Sequence, residues 1–85
     1  MVKIFESDAL DDLMYWANND RKILNKIHKL LRDIERNGAA NGEGKPERLR
    51  HRQAWSRRID HANRLVYEVK DDRLYIFSCK GHYDD

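Results

Sequence analysis

The chain has 85 residues, of which 40% are hydrophobic and 38% charged, so a single small domain over residues 1–85 is expected. No apolar run approaches the roughly 20 residues of a transmembrane helix, and no apolar stretch follows the first residues as in a secretory signal. The lone cysteine, Cys79, cannot form an internal disulfide. We therefore expect a cytoplasmic protein without a membrane association.

The first half of the chain predicts one strand followed by a helical hairpin. Residues 2–6 alternate in polarity and favour a strand. Ser7 is a candidate N-cap for a helix over residues 8–18, and Asp20 is a candidate N-cap for a second helix that ends before Gly38. Apolar residues recur at helical spacing in both segments. These are Leu10, Leu13, Met14 and Ala17, and then Ile23, Leu24, Ile27, Leu30, Leu31 and Ile34.

The second half predicts a loop and then a series of short strands. Residues 38–46 hold three of the four glycines and the only proline, so they are interpreted as a loop or linker. From residue 47 the apolar residues alternate, and turn-like segments occur at 60–63 and 70–72. Short connections favour antiparallel pairing. The predicted fold class is α+β, with a two-helix hairpin packed on a small, mainly antiparallel sheet.

Two local patterns suggest ligands but are incomplete. The glycine-rich loop is not a nucleotide-binding P-loop, because Ala39 stands where the first glycine is needed and Pro46 follows the lysine. Cys79 and His82 are spaced as one pair of zinc ligands would be, but a structural zinc needs four ligands and the other histidines do not form a second pair. No metal or cofactor is expected. Cys79 is interpreted as a small core residue and Trp16 as a core aromatic.

The formal net charge of +2 conceals an uneven distribution along the chain. Residues 45–64 carry seven basic and two acidic side chains, a balance of +5, and six of the seven are arginines. Arginine gives two parallel hydrogen bonds to a phosphate, so this segment indicates a polyanionic partner. A solvated charged surface is the alternative, and for Trp55 both core packing and nucleic-acid contact stay open. The basic residues are Lys45, Arg48, Arg50, Arg52, Arg57, Arg58 and Arg64.

These residue types suit metal-free cleavage of RNA, as one interpretation among several. The 2′-OH of RNA can attack the adjacent phosphorus if a base, a cationic stabiliser and an acid are present. Glu47 is the candidate base, and His82 is the candidate acid. Tyr83 could bind a phosphate or stack on a base. Arg50, Arg58 and Arg64 are the candidates for stabilising phosphate charge.

Several motifs in order along the chain resemble the Txe/YoeB family of bacterial type II toxins, within the wider RelE-like group. The resemblance covers essentially the whole chain. One departure lies at the end, where Lys80-Gly81 precede and Asp84-Asp85 follow the His-Tyr pair. The motifs are Asp11-Asp12 with Tyr15-Trp16, Gly44-Lys45-Pro46-Glu47, Trp55-Ser56-Arg57-Arg58-Ile59, Asn63-Arg64-Leu65-Val66-Tyr67, and Cys79 with His82-Tyr83.

The resemblance implies a metal-independent, ribosome-dependent mRNA endonuclease that enters the A site and stops translation. It implies catalytic roles for Glu47 as general base, Arg64 as phosphate stabiliser, His82 as general acid, and Tyr83. The expected fold is a compact domain like that of microbial ribonucleases. The substrate-binding candidates are Lys45, Arg50, Trp55, Arg57 and Arg58.

The resemblance also implies partners. A YefM- or Axe-like antitoxin is expected to cover the toxin, with operator DNA bound only through that complex, and a homodimer is possible. Two other functions stay open: a toxin of the same fold that acts on DNA gyrase, and an RNA- or ribosome-binding module without chemistry. All three would bind an acidic partner in a salt-dependent way, so binding alone does not separate them.

Overall fold

The computed structural model describes residues 1–82, and Tyr83, Asp84 and Asp85 lie outside the described residues. Two helices pack against one face of a five-stranded sheet, so the predicted α+β class is confirmed. None of the helices in residues 1–82 is both long and apolar enough to cross a membrane. The elements are β1 (Val2–Phe5), α1 (Ser7–Asn19), α2 (Arg21–Asn37), β2 (Glu47–Arg48), β3 (Trp55–Arg58), β4 (Arg64–Lys70) and β5 (Arg73–Ser78).

The helix boundaries follow their caps, with one exception. Asp20 caps α2 as predicted, because its side chain accepts hydrogen bonds from the backbone N–H groups of Lys22 and Ile23 at 3.1 and 3.2 Å. Gly38 ends α2 with a φ of 87°, a left-handed conformation that glycine adopts without a steric penalty. The prediction for Ser7 was wrong: it is the first residue of α1, and Glu6 precedes the helix without a side-chain cap.

Within residues 1–82 the strands are ordered β1-β5-β4-β3-β2, and only the β1–β5 pair is parallel. The sheet is therefore mainly antiparallel, as expected. Opposed residues in an antiparallel pair share a face, so the register assigns side chains to the two sides of the sheet. We call the side covered by the helices the helix face and the other side the open face. Trp55, Arg57, Leu65 and Tyr67 belong to the helix face, and Glu47, Ser56, Arg58, Arg64 and Val66 to the open face.

Each face of the sheet has its own apolar packing. The main core lies between the helices and the helix face and includes Trp16, Ile27, Leu30, Ile34, Leu65, Tyr67 and Ile76. A smaller cluster of Leu49, Ala54 and Val66, with Phe77 packed against it, lies beside the open-face residues. This small cluster folds the segment between β2 and β3 onto the sheet, next to the strand ends that carry the predicted site.

Candidate active site

The open face brings together three of the predicted catalytic and binding residues. Arg58 on β3 and Arg64 on β4 are directly opposed. Glu47 is opposed to Ser56, two residues before Arg58, so Glu47 and Arg58 are diagonal neighbours on one face, with a Cα separation of about 7–8 Å for such pairs. Glu47 and Arg58 are exposed, and Arg64 is half-buried. A carboxylate and two guanidinium groups thus share one end of the sheet.

His82 joins this group through Arg64. The Nη2 of Arg64 lies 3.2 Å from Nε2 of His82, and its Nη1 donates to the backbone carbonyls of Asp60 and Asn63 at 2.7 and 3.1 Å. Arginine has only donors, so Nε2 of His82 must be the acceptor in this contact. Arg64 therefore links the carbonyls of the 60–63 turn to His82.

The turn over residues 60–63 positions the segment that carries His82. The side-chain Oδ1 of Asn63 accepts a hydrogen bond from the N–H of Gly81 at 2.8 Å, and the N–H of Arg64 donates to the carbonyl of Gly81 at 2.9 Å. The sequence predicts this segment only as a turn. Its Asx-turn pattern was readable, but the partner of Asn63, 18 residues further along the chain, was not.

Asp60 organises that turn as a carboxylate. Its Oδ1 accepts hydrogen bonds from the N–H groups of Ala62 and Asn63 at 2.9 and 2.8 Å. Burial by itself raises the pKa of Asp60, but these backbone hydrogen bonds and that from the Asn63 side chain together outweigh burial and hold the pKa below its ordinary value. The turn beneath Arg64 therefore keeps its hydrogen-bonded form at neutral pH.

Helix α1 binds the start of the segment that leads to His82, at Cys79. The carboxylate of Asp12 accepts a hydrogen bond from the N–H of Cys79 at 3.0 Å, and Nε1 of Trp16 donates to the Cys79 carbonyl at 2.9 Å. Trp16 is buried in the main core, as predicted. Both α1 and the 60–63 turn therefore fix the chain just before His82.

Cys79 is buried immediately after β5 and belongs to the main core, as its interpretation as a core residue predicts. Burial raises the pKa of its thiol to about 12, and the nearby Asp12 carboxylate adds to the shift. We expect the native protein to resist iodoacetamide at pH 8, because almost no thiolate is present, and to react in denaturant. Mass spectrometry of both samples checks this, and rapid native labelling would contradict it.

The structure corrects the prediction that Arg57 binds substrate. Arg57 faces the helix side of the sheet and is completely buried. All five of its N–H donors are used within the chain, by Asp33, Tyr67 and three backbone carbonyls, so none is available to a substrate. Residues 38–46 form a loop, as predicted, and these contacts hold its carbonyls at Gly38, Asn41 and Glu43.

The other predicted substrate contacts differ in how accessible they are. Trp55 is half-buried, faces the helix side and packs against the main core, so of the two interpretations left open for it the structure favours core packing. Lys45 and Arg50 are exposed on either side of β2. Tyr83, the remaining catalytic candidate, lies outside the described residues.

No group of three or more His, Cys, Asp or Glu side chains in residues 1–82 is arranged to hold a metal ion. Acid–base chemistry in this part of the chain would depend on Glu47 and His82, with Arg58 and Arg64 supplying positive charge. Phosphate esters are the substrates that such a set of groups suits best.

Two solved structures of bacterial toxins share this fold. A YoeB dimer from Staphylococcus aureus is 46% identical, with a TM-score of 0.93 over 98% of each chain. The heterotetrameric YoeB–YefM toxin–antitoxin complex from the same organism matches with 46% identity, a TM-score of 0.91 and 98% of each chain. The class is thus the toxin component of a type II toxin–antitoxin system.

The sequence comparisons define the family. The model of the YoeB-like toxin of bacterial type II toxin–antitoxin systems matches residues 5–83. Toxin YoeB of Escherichia coli K12 is 44% identical over 85 residues, which covers 98% of this chain and 100% of the relative. The chain belongs to the YoeB family of bacterial type II toxins, and the resemblance noted in the sequence is confirmed.

Proposed function

We propose that this toxin is an endoribonuclease that cleaves mRNA on the ribosome and thereby stops translation. The observation that supports this best is the line of groups across the open face. Glu47, Arg58, Arg64 and His82 follow one another across the end of the sheet, with Arg64 in contact with His82 at 3.2 Å. A base, two cations and an acid are the groups that attack by the 2′-OH requires.

In the proposed reaction, Glu47 accepts the proton of the 2′-OH as its oxygen attacks the adjacent phosphorus. Negative charge develops on the phosphate oxygens, where Arg64 and Arg58 stabilise it. The bond from phosphorus to the 5′-oxygen breaks, and His82 protonates that leaving oxygen. The products are a 2′,3′-cyclic phosphate and a 5′-OH end. DNA lacks the attacking hydroxyl, so the chemistry is selective for RNA.

In the proposed reaction, the contact between Arg64 and His82 is present only before the substrate binds. A phosphate that takes over the Nη2 donor of Arg64 removes that donor from Nε2 of His82, and a protonated His82 then gives its proton to the leaving oxygen. Arg64 keeps its hydrogen bond to the Asp60 carbonyl through Nη1 during this exchange. Lys45 and Arg50, exposed beside Glu47, are the proposed contacts to neighbouring phosphates, and Tyr83 is proposed to bind the scissile phosphate or stack on a base.

The proposed ribosome dependence is supported by size and family. The Cα atoms span 31 × 27 × 23 Å, small enough for a body that must enter the A site beside mRNA. A YefM-type antitoxin is the proposed partner, since the Staphylococcus aureus toxin of this family forms a heterotetramer with YefM. A homodimer is proposed from the YoeB dimer of the same organism. Binding to operator DNA would occur only through the toxin–antitoxin complex.

The test is to map the 5′ ends of mRNA cut in a translating extract that receives the purified toxin. We expect cuts confined to codons in the ribosomal A site, with 5′-OH ends. Deproteinised mRNA should be cut far more slowly. Glu47→Ala and His82→Ala should each abolish the cuts, because each removes one proton-transfer step.

The controls separate cleavage from binding. Both variants should bind the antitoxin as the wild-type toxin does, which shows that they are folded. The cleavage step should also proceed in EDTA once toxin and stalled ribosomes are mixed. Unchanged cleavage by both variants, or DNA damage from inhibited gyrase without mRNA cuts, would contradict the proposal. Ribosome binding without cuts would favour a binding module.

A further inference from the structure

The buried guanidinium of Arg57 is saturated with hydrogen bonds. Its Nε donates to the hydroxyl of Tyr67 at 2.8 Å. Its Nη1 and Nη2 groups donate to the carboxylate of Asp33 and to three carbonyls of one loop. Those loop acceptors are the carbonyls of Gly38, Asn41 and Glu43, at 2.9, 2.6 and 3.0 Å. A fully buried cation with three loop carbonyls determines the path of that loop.

Asp33 and Tyr67 also bind the backbone of this loop. Oδ2 of Asp33 accepts a hydrogen bond from the N–H of Glu43 at 3.0 Å as well as from Arg57, and the hydroxyl of Tyr67 donates to the carbonyl of Ala39 at 2.6 Å. Three side chains on α2, β3 and β4 therefore hold five backbone groups of residues 38–43. We call these three side chains and the backbone groups they bind the loop clamp.

The loop held by the clamp is followed directly by β2, the strand that carries the proposed base Glu47. The carbonyl of Gly44 accepts a hydrogen bond from the N–H of Arg58 at 2.6 Å. Lys45 follows with a φ of 52°, and Glu47 begins β2. This strand has only two residues, which pair with Ser56 and Trp55. So short a strand cannot fix its own position, and the clamped loop before it supplies the constraint.

Glycine 42 shows how closely the loop lies on the buried ion pair. A Cβ added at Gly42 would lie 1.9 Å from Oδ2 of Asp33 and 3.0 Å from Nη1 of Arg57. Its φ of +116° also disfavours any other residue. Position 42 therefore leaves no room for a side chain between the loop and the ion pair.

We propose that Arg57 is a positioning residue, whose loop clamp on the helix face fixes where Lys45 and Glu47 lie at the edge of the open face. The role assigned to Glu47 rests on the proposed function. Arg57 does not touch RNA. It acts through the backbone of residues 38–46, and its loss displaces the base from the 2′-OH, to which reaction rates are sensitive at the scale of about 1 Å.

The test compares Arg57→Lys with Gly42→Ala. Lysine keeps the positive charge opposite Asp33 but has three donors and no planar fork, so loop contacts are lost. Gly42→Ala pushes the loop off the ion pair from the exposed side and leaves Arg57 in place. We expect each to lower the single-turnover cleavage rate of ribosome-bound mRNA by about 10- to 100-fold. The ribosome concentration for half-maximal rate should stay within about twofold of wild type.

The matched control is Leu74→Val. It removes volume from the same face of the sheet, at a residue that pairs with Lys3 and Val69 and not with the loop. It should lower stability but leave the rate within about twofold of wild type. A wild-type rate in both Arg57→Lys and Gly42→Ala, or an equal loss of rate in Leu74→Val, would overturn the proposal.

Amide hydrogen exchange separates this inference from the proposed function. The N–H groups of Glu43 and Arg58 are bonded to Asp33 and to Gly44, so they report on the closed loop. Both should exchange at least about tenfold faster in Arg57→Lys and Gly42→Ala but not in Leu74→Val. If the wild-type toxin cuts no mRNA, the proposed function fails while the exchange result still decides the positioning role. Unchanged exchange in both variants overturns it.

Discussion

Replacing Arg64 with alanine should lower the single-turnover rate of mRNA cleavage by about 10²- to 10³-fold, because in the proposed reaction Arg64 stabilises the charge that develops on the phosphate. Arg64 lies between Arg58, its opposed partner, and His82. Its removal therefore affects both the stabilisation of phosphate charge and the placement of the acid. Arg64→Lys should recover only a small part of the rate, since lysine lacks the planar group that can bind a phosphate through Nη2 while Nη1 stays on the Asp60 carbonyl.

Arg73→Ala is the matched control for Arg64→Ala. Arg73 is an exposed arginine at the start of β5, opposed to Lys70 at the far end of the β4–β5 pair, and the same unit of charge is lost. The Arg73→Ala toxin should cleave mRNA at a rate within about twofold of wild type, measured at the same salt concentration. Quench-flow measurement on stalled ribosomes gives both rates. Equal losses in the two variants would show that Arg64 contributes only to the general attraction for RNA.

Local patterns were sufficient to predict most of the fold. The 3.6-residue period of the second helix, the Asp20 cap and the Gly38 stop correspond to α2 as the structure has it. The turn segments at 60–63 and 70–72 separate β3, β4 and β5. The parallel pairing of β1 with β5 was not predictable, because it joins residues about 70 positions apart and depends on how the whole chain closes.

The candidate site was predicted less completely, and Arg57 shows why. In the sequence it is one of six arginines in a basic segment, which predicts a substrate contact for it as for the others. Its parity, shared with Trp55 and Ile59, already placed it among core residues. What the sequence could not show is Asp33, 24 residues away on α2, which allows a buried charge at that position.

Net charge summed over long segments also hides surface chemistry. Residues 1–44 carry seven basic and eight acidic residues, yet α2 alone has six basic residues and two acidic ones. Those two carboxylates are paired, Asp33 with Arg57 and Glu35 with Lys3. The exposed side of α2 is therefore cationic, whereas α1 and its flanks hold acidic residues. Segment sums must follow secondary-structure elements to be informative.

The substitution with the largest expected effect on stability is Asp33→Asn. It leaves the charge of Arg57 in a site that is 0% exposed, with only neutral acceptors around it. We expect the free energy of unfolding at pH 7 to fall by about 3 kcal/mol, at the low end of the range for a broken buried pair, because the loop carbonyls still accept. For a chain of this length the midpoint of thermal unfolding should fall by roughly 12–24 °C.

The effect of Asp33→Asn should shrink on acidification. The hydrogen bond from Arg57, followed by that from the N–H of Glu43, holds the pKa of Asp33 below its ordinary value of 3.8. A carboxyl whose folded pKa is depressed contributes stability above its unfolded pKa and loses it as the pH falls through the folded pKa. Urea unfolding at pH 7 and below pH 4 should therefore give converging curves for wild type and Asp33→Asn.

Glu35→Gln, on the same helix, is the control. Its hydrogen bond from Lys3 also lowers the pKa of Glu35, but this ion pair is open to water and its stabilisation is small, so Glu35→Gln should stay close to wild type throughout. A constant gap for Asp33→Asn would show that the buried charge pair does not stabilise this fold.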